Sequence, residues 1–300
     1  KFEEDVFMTR EEFRRLLTDK PYFLLDGATG TMLQQRGMPR GVCTELWEAE
    51  HPETVAVLQK EYADAGSHLI YAPTFSASPL VMESHGLDRA ETVKLNTRLV
   101  ENTLRAVGDR ALVAGDMTTV AKPMEPYGPL TATQVYDSYC IQAEALAKAG
   151  AEVIVAETMM GLQETVTLTE AVRNVCDLPL LCSFSCESDG KCYFDGTVLE
   201  ALPLLEQLGA DAVGINCAAG PGHILSLLER MGQECALPRL AKPNAGMPAI
   251  TPEGEAVYPL QPEEFAEEMF RLYTAGAQLL GGCCGTTPAH IRALKERLEA

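Results

Sequence analysis

The chain has 300 residues, 46% of them hydrophobic and 22% charged, with a formal net charge of −19. That length buries a sizeable core without disulfide staples, and the acidity excludes a nucleic-acid binder, which needs a basic face for phosphates. No run of 18 apolar residues is present, which excludes a transmembrane helix.

Residues 1–20 are charged and helix-like, with no secretory apolar region. They are read as an N-terminal helical extension to one domain spanning 21–300. The chain opens on Lys rather than Met, which suits a processed or engineered fragment. From there, short β-rich runs alternate with amphipathic ones. The predicted order is strand Phe23–Ala28, helix Pro52–Ala65, strand His68–Phe75, helix Ala90–Val107, strand Ala111–Met117 and helix Thr131–Ala149. Strand Val153–Thr158, helix Gly161–Val175, strand Pro179–Phe184, helix Val198–Leu208, strand Ala212–Cys217 and helix Gly222–Met231 continue it. Strand Leu240–Gly246, helix Pro262–Ala275, strand Leu279–Cys284 and helix Pro288–Leu298 close it. Gly66, Gly150, Gly209 and Gly276 each follow a helix, where glycine supplies the left-handed residue that ends it. Eight strand–helix pairs without a linker-like segment predict a single α/β domain, a (β/α)8 TIM barrel. A doubly wound open sheet is the competing architecture.

A barrel of this kind carries its chemistry at the C-terminal ends of its strands. The residues at those ends are Asp26, Thr74-Phe75, Asp116, Glu157, Asn216-Cys217, Asn244 and Cys283-Cys284. Seven of the ten cysteines (Cys43, Cys140, Cys176, Cys182, Cys186, Cys192 and Cys235) are scattered and read as small core hydrophobes. Cys217, Cys283 and Cys284 fall together at two strand ends. In a reducing, cytoplasmic setting such a cluster points to metal or catalysis rather than disulfides.

Zinc takes thiolates tetrahedrally, and a catalytic site keeps the fourth position open. Adjacent cysteines in a regular strand point to opposite faces. Bringing both Cys283 and Cys284 to one ion therefore needs a sharp bend, which Gly281, Gly282 and Gly285 permit. An open three-sulfur site suits a thiol substrate, because a metal deprotonates a bound thiol that is otherwise protonated at neutral pH. The alternatives are a closed zinc staple, plain core residues or a Cys–His nucleophile pair. The sequence shows no paired CxxC knuckles, and the five histidines fall in helices, loops or a strand start.

Asp26-Gly27-Ala28-Thr29-Gly30-Thr31, Gly214-Ile215-Asn216-Cys217 and Gly281-Gly282-Cys283-Cys284-Gly285-Thr286-Thr287-Pro288 occur in this order. Together they make the chain resemble the homocysteine S-methyltransferase family, closest to the homocysteine-binding module of cobalamin-dependent methionine synthase. Pro243-Asn244-Ala245-Gly246 and Val257-Tyr258-Pro259-Leu260 add to the likeness, which covers Phe23 to the end. The resemblance implies a barrel, a Zn2+ held by Cys217, Cys283 and Cys284, and methyl transfer to homocysteine sulfur to give methionine. It also implies an amino-acid pocket formed by Asp26, Gly27 and Ala28, by Thr74, Phe75 and Ser76, and by Glu157 as receiver of the substrate ammonium. Asn216 joins this pocket or else serves only the turn before Cys217. Asn244 resembles a side chain that fills the fourth zinc position before substrate arrives. Outside that context, Asp26 and Glu157 could equally be ordinary loop carboxylates.

Two departures concern the mouth. Pro73-Thr74-Phe75 stands where the family more often has Asn-Thr-Phe, and Gly115-Asp116-Met117-Thr118-Thr119 lacks the usual Gly-Pro-rich turn. Both leave the methyl donor open. One reading is methylcobalamin, carrying a methyl group from methyltetrahydrofolate, on another module or a partner corrinoid protein. No Asp-x-His-x-x-Gly stretch or second barrel is present here. The other is a stand-alone enzyme using S-methylmethionine or betaine, whose cationic donor calls for an aromatic cage; Trp47, Phe75 and Tyr127 are its candidates. A non-catalytic zinc- or thiol-binding barrel is the third.

Overall fold

Capping chemistry sets the helix boundaries. In the computed structural model, which describes residues 8–252 and 256–300, α1 (Arg10–Asp19) opens on a reciprocal Thr9–Glu12 capping box. After β1 (Phe23–Leu24) come α2 (Gly30–Gln35), α3 (Thr44–Glu50) and α4 (Pro52–Ala65). Then follow β2 (Leu69–Tyr71), α5 (Pro79–Met82), α6 (Arg89–Val107), β3 (Leu112–Met117) and α7 (Ala132–Lys148). Next are β4 (Val153–Met159), α8 (Leu162–Val175), β5 (Leu180–Phe184), α9 (Val198–Leu208), β6 (Ala212–Asn216), α10 (Pro221–Glu234) and β7 (Arg239–Lys242). The hairpin β8 (Ala249–Ile250) and β9 (Ala256–Val257) precedes α11 (Pro262–Thr274), β10 (Ala277–Leu280) and α12 (Pro288–Glu299). The four helix-ending glycines, Gly66, Gly150, Gly209 and Gly276, have φ of +108°, +96°, +91° and +98°.

Eight strands pair in parallel in the order β1-β10-β7-β6-β5-β4-β3-β2. The remaining seam between β1 and β2 also closes. Leu25 bridges Leu69, His68 N–H donates to Leu24 O at 2.7 Å, and Leu24 N–H donates to His68 Nδ1 at 2.8 Å. A sheet with both ends joined is a barrel, and this excludes the doubly wound alternative.

Several strands stop earlier than expected. Residues 26–28 and 73–75 leave the ladder to shape the mouth, and Pro243, lacking an N–H, ends β7 at Lys242. Cys217 turns out of β6, and residues 281–284 lie beyond β10. The unpredicted α2, α3, α5 and the β8–β9 hairpin all lie in strand-to-helix connections on that same face.

The opposite end is plugged. α1 seats Phe13 and Leu17 against Phe23, Leu25, Leu69 and the inward side chains of the other strands, with Phe13 edge-on to Phe23 at 5.7 Å. Asp211 anchors the helix, accepting from Arg10 at 3.0 Å and Arg14 at 2.8 Å. It also accepts from Arg173 at 3.3 Å and from Leu180 N–H at 3.0 Å. Residues 1–7, the start of the expected extension, lie outside the described residues. Among the described residues no helix is long and apolar enough to cross a membrane.

Candidate active site

Two loops meet at the C-terminal mouth because hydrogen bonds stitch them together. Gly282 N–H donates to Asp26 O at 3.0 Å, Ala28 N–H to Thr286 Oγ1 at 3.0 Å, and Gly285 N–H to Thr31 Oγ1 at 3.2 Å. The loop after β1 is thereby tied to the loop after β10. Gly27 is required for that approach, since a Cβ there would sit 2.7 Å from the Tyr62 ring and 2.9 Å from Thr286 Oγ1.

This stitching places the cysteines. The sulfurs of Cys217, Cys283 and Cys284 all lie within 4.8 Å of one another, with Cys217 and Cys284 at 3.8 Å. Tetrahedral Zn–S bonds of about 2.3 Å imply sulfur–sulfur spacings of about 3.8 Å. The donor set therefore fits zinc both in chemistry and in size. The bend between Cys283 and Cys284 is completed at Gly285, with φ +80°, while Cys217 itself adopts φ +50°. A non-glycine residue in that region is strained; nothing in the sequence marks Cys217 for it. The Cys284 thiol is held down to about 3, chiefly by hydrogen bonds from Cys217 and Cys283, with Tyr258 contributing. Those same bonds push the Cys217 thiol up. Cys283, although helped by Cys217, is pushed up to about 11 by Cys284 and by burial. All ten cysteines are free thiols.

A cavity of about 520 Å³ opens beside the cysteines. Asp26, Gly27, Ala28, Phe75, Ser76 and Glu157 line it together with Cys217, Cys283 and Cys284. Glu157, at the end of β4, is buried, which raises its carboxyl, as is Asp26, which burial pushes up to about 6. Two expected pocket residues do not line the cavity. Asn216 is fully buried and its amide staples three strand ends, accepting from Thr158 N–H and Ser183 Oγ at 2.8 Å each and donating to Thr158 Oγ1 at 2.6 Å. Thr74 exchanges hydrogen bonds with Asp116, donating to its O at 2.8 Å and accepting from its N–H at 3.0 Å. Both support the mouth from behind. Asn244 donates to Cys217 O at 3.4 Å, and its buried Oδ1 has no hydrogen-bond partner.

Three contributors, Glu45, Tyr71 and Lys242, escaped the sequence reading, whereas Asp116 was expected at a strand end. Glu45 on α3 lines the cavity and accepts from Ser76 N–H at 2.7 Å. Tyr71 and Asp116 line it as well. Lys242, at the end of β7, places Nζ 3.2 Å from Asp26 and 3.1 Å from Glu157. Its one signal is a charged residue directly after the apolar pair Leu240-Ala241 and before Pro243.

The proposed aromatic cage does not assemble. Trp47 stacks on His51 with centroids 4.0 Å apart, Tyr127 is 77% exposed and away from the cavity lining, and only Phe75 lines it.

Fold and site together define an α/β barrel with three converging thiols beside a carboxylate-lined pocket at its catalytic face. The chain belongs to the homocysteine S-methyltransferase family, whose description it matches over residues 23–298. It is 31% identical over 313 residues to the homocysteine S-methyltransferase of Escherichia coli, covering 95% of this chain and 97% of that protein. It is 29% identical over 287 residues to the methionine synthase of Mycobacterium leprae, covering 89% of this chain. The chain spans about a quarter of the length of such methionine synthases, 23% in that case. Among solved structures, the metallated form of the E. coli homocysteine methyltransferase MmuM aligns with a TM-score of 0.79 and 26% identity, over 95% of this chain and 99% of that one.

Proposed function

We propose that the protein transfers a methyl group to the thiolate of homocysteine, giving methionine, with Zn2+ held by Cys217, Cys283 and Cys284. The convergence of three sulfurs beside a cavity with a buried carboxylate carries this reading. Zinc in this set supplies an open position in which a substrate thiol is deprotonated yet stays nucleophilic. The chain's own residues do the rest. Glu157 receives the amino-acid ammonium, the backbone of Gly27 and Ala28 lies against the amino-acid end, and Phe75 shields the sulfur from water. Asn244, with its unpaired Oδ1 beside the Cys217 backbone, is the candidate to hold the fourth position before substrate enters.

For the donor, methylcobalamin supplied by another module or a corrinoid protein is favoured, with the reaction set in the cytoplasm. The methionine synthases matched here are about four times the length of this chain, and Trp47 and Tyr127 stand apart from the cavity that a cationic donor would enter. The near-complete match to the E. coli homocysteine S-methyltransferase supports the second reading, a stand-alone enzyme using S-methylmethionine or betaine. Turnover of the purified chain with each donor in turn separates the two. Metal analysis with zinc X-ray absorption tests the shared core: one zinc per chain is expected, gaining a sulfur ligand when homocysteine is added. No zinc, or a four-sulfur site beforehand, would remove the catalytic reading.

A further inference from the structure

Lys242 is buried at the end of β7, inside the pocket lining. Its Nζ lies 3.2 Å from Asp26 Oδ1, 3.1 Å from Glu157 Oε1 and 4.6 Å from the centre of the Tyr71 ring. Two carboxylates and an aromatic face make a complete cation site. The protein occupies it with its own ammonium.

That occupancy makes the two carboxylates unequal. Asp26 also accepts from Tyr71 N–H through Oδ2 at 2.8 Å, so both of its oxygens have partners. Glu157 gives Oε1 to Lys242, and no hydrogen bond to its Oε2 is found among the described residues. The Glu157 side chain is also the more open, 10% exposed against 3% for Asp26.

We propose that Lys242 is a positioning residue that sets the specificity of the amino-acid subsite, filling the place between Asp26 and Glu157 so that, of these two carboxylates, only Glu157, through Oε2, is left to receive one ammonium. The proposal rests on the cavity being the homocysteine site. It assigns Asp26 a different task from the one its motif suggests: Asp26 holds Lys242, and Lys242 orients Glu157. A pocket without this side chain would offer two facing carboxylates and an empty place between them. Homocysteine would then drop its ammonium into the lysine's position and draw its sulfur away from the three cysteines. Misplacement of a reacting atom by about 1 Å costs on the order of a hundredfold in rate.

The test is calorimetric binding of homocysteine to the zinc-loaded wild type and to Lys242→Ala, in sodium chloride and in ethylammonium chloride at equal ionic strength. The variant is expected to bind about tenfold more weakly or worse, and ethylammonium, entering the vacated place, is expected to restore most of the loss while leaving wild type unchanged. Wild-type affinity in Lys242→Ala overturns the proposal. So does a loss that ethylammonium leaves untouched, which is the signature of a merely structural lysine. Failure of wild type itself to bind homocysteine would instead strike the functional reading. Because Lys242→Ala leaves two buried carboxylates uncompensated, it could unfold. The double variant Asp26→Asn with Lys242→Met removes one charge of each sign and is measured beside it. It is expected to fold and to bind homocysteine about tenfold more weakly; wild-type affinity there also overturns the proposal.

Discussion

Cys217 shows how a functional side chain can be held at the expense of its own backbone. With φ at +50° it occupies a region that costs an L-residue about 1–2 kcal/mol. The strain is sustained because its N–H donates to Lys242 O at 3.3 Å while Asn216, one residue earlier, is fixed by the amide staple. Cys217→Gly is therefore expected to be about 1 kcal/mol more stable than Cys217→Ala in urea unfolding, with zinc lost from both. Equal stabilities would mean that the backbone relaxes elsewhere, and wild-type zinc content would remove Cys217 from the metal site. At Glu157 the expectation is separable from the metal. Glu157→Gln keeps the shape but not the charge, so homocysteine affinity should fall by about tenfold, a typical loss for an ion pair to a buried carboxylate, with zinc content unchanged. Metal loss in that variant would show that its role has been misread. The three cysteines were legible at this scale because their chemistry is unusual and their spacing compact. Lys242 and Glu45 were not, since their meaning depends on carboxylates and backbone groups 31 to 216 residues away in the chain.

At the scale of elements, the seam between β1 and β2 is the weakest part of the barrel ladder, carried by one bridge and by His68. The ring accepts from Leu24 N–H through Nδ1, which requires that nitrogen to be unprotonated. Burial, reinforced by Lys20 and Lys295, pulls His68 from its ordinary 6.5 to about 4. Between those values the unfolded chain binds the proton and the folded chain does not, so stability falls as pH drops through this window. Wild type should lose stability more steeply than His68→Gln across pH 6.5 to 4 in urea titrations. Equal slopes would take His68 out of the seam. The helices were predicted to within about two residues at most ends, because caps and 3.6-residue periodicity are local signals. Short mouth elements such as α2, α3 and α5 escaped, since elements of four to seven residues carry too few repeats of either period to be seen.

For the whole molecule, the decisive feature is separation of labour between the two ends of the barrel. α1 and Asp211 close one end with apolar and ionic contacts, while the other end carries the cysteines on loops. Among the described residues, the buried core that joins them includes none of Cys217, Cys283 and Cys284. Chelation should therefore leave a folded barrel with an unchanged far-ultraviolet spectrum and a lowered melting temperature, the shift reporting only metal binding to the native state. Collapse of the spectrum on chelation would mean that the metal builds the fold, as in zinc fingers.

The sequence by itself determined the alternation of eight strands and eight helices, the glycines that end four of the helices, and the three cysteines as one cluster. Each of these is written in short-range pattern, and pattern survives without coordinates. Only the tertiary structure decided that the sheet closes, because closure depends on the register of β1 against β2. It alone moved Thr74 and Asn216 behind the cavity wall, parted Trp47 and Tyr127 from Phe75, and set an ammonium between Asp26 and Glu157. Those outcomes follow from which way side chains point once strands tilt around a common axis, and a one-residue change in any strand's end would send each of them elsewhere.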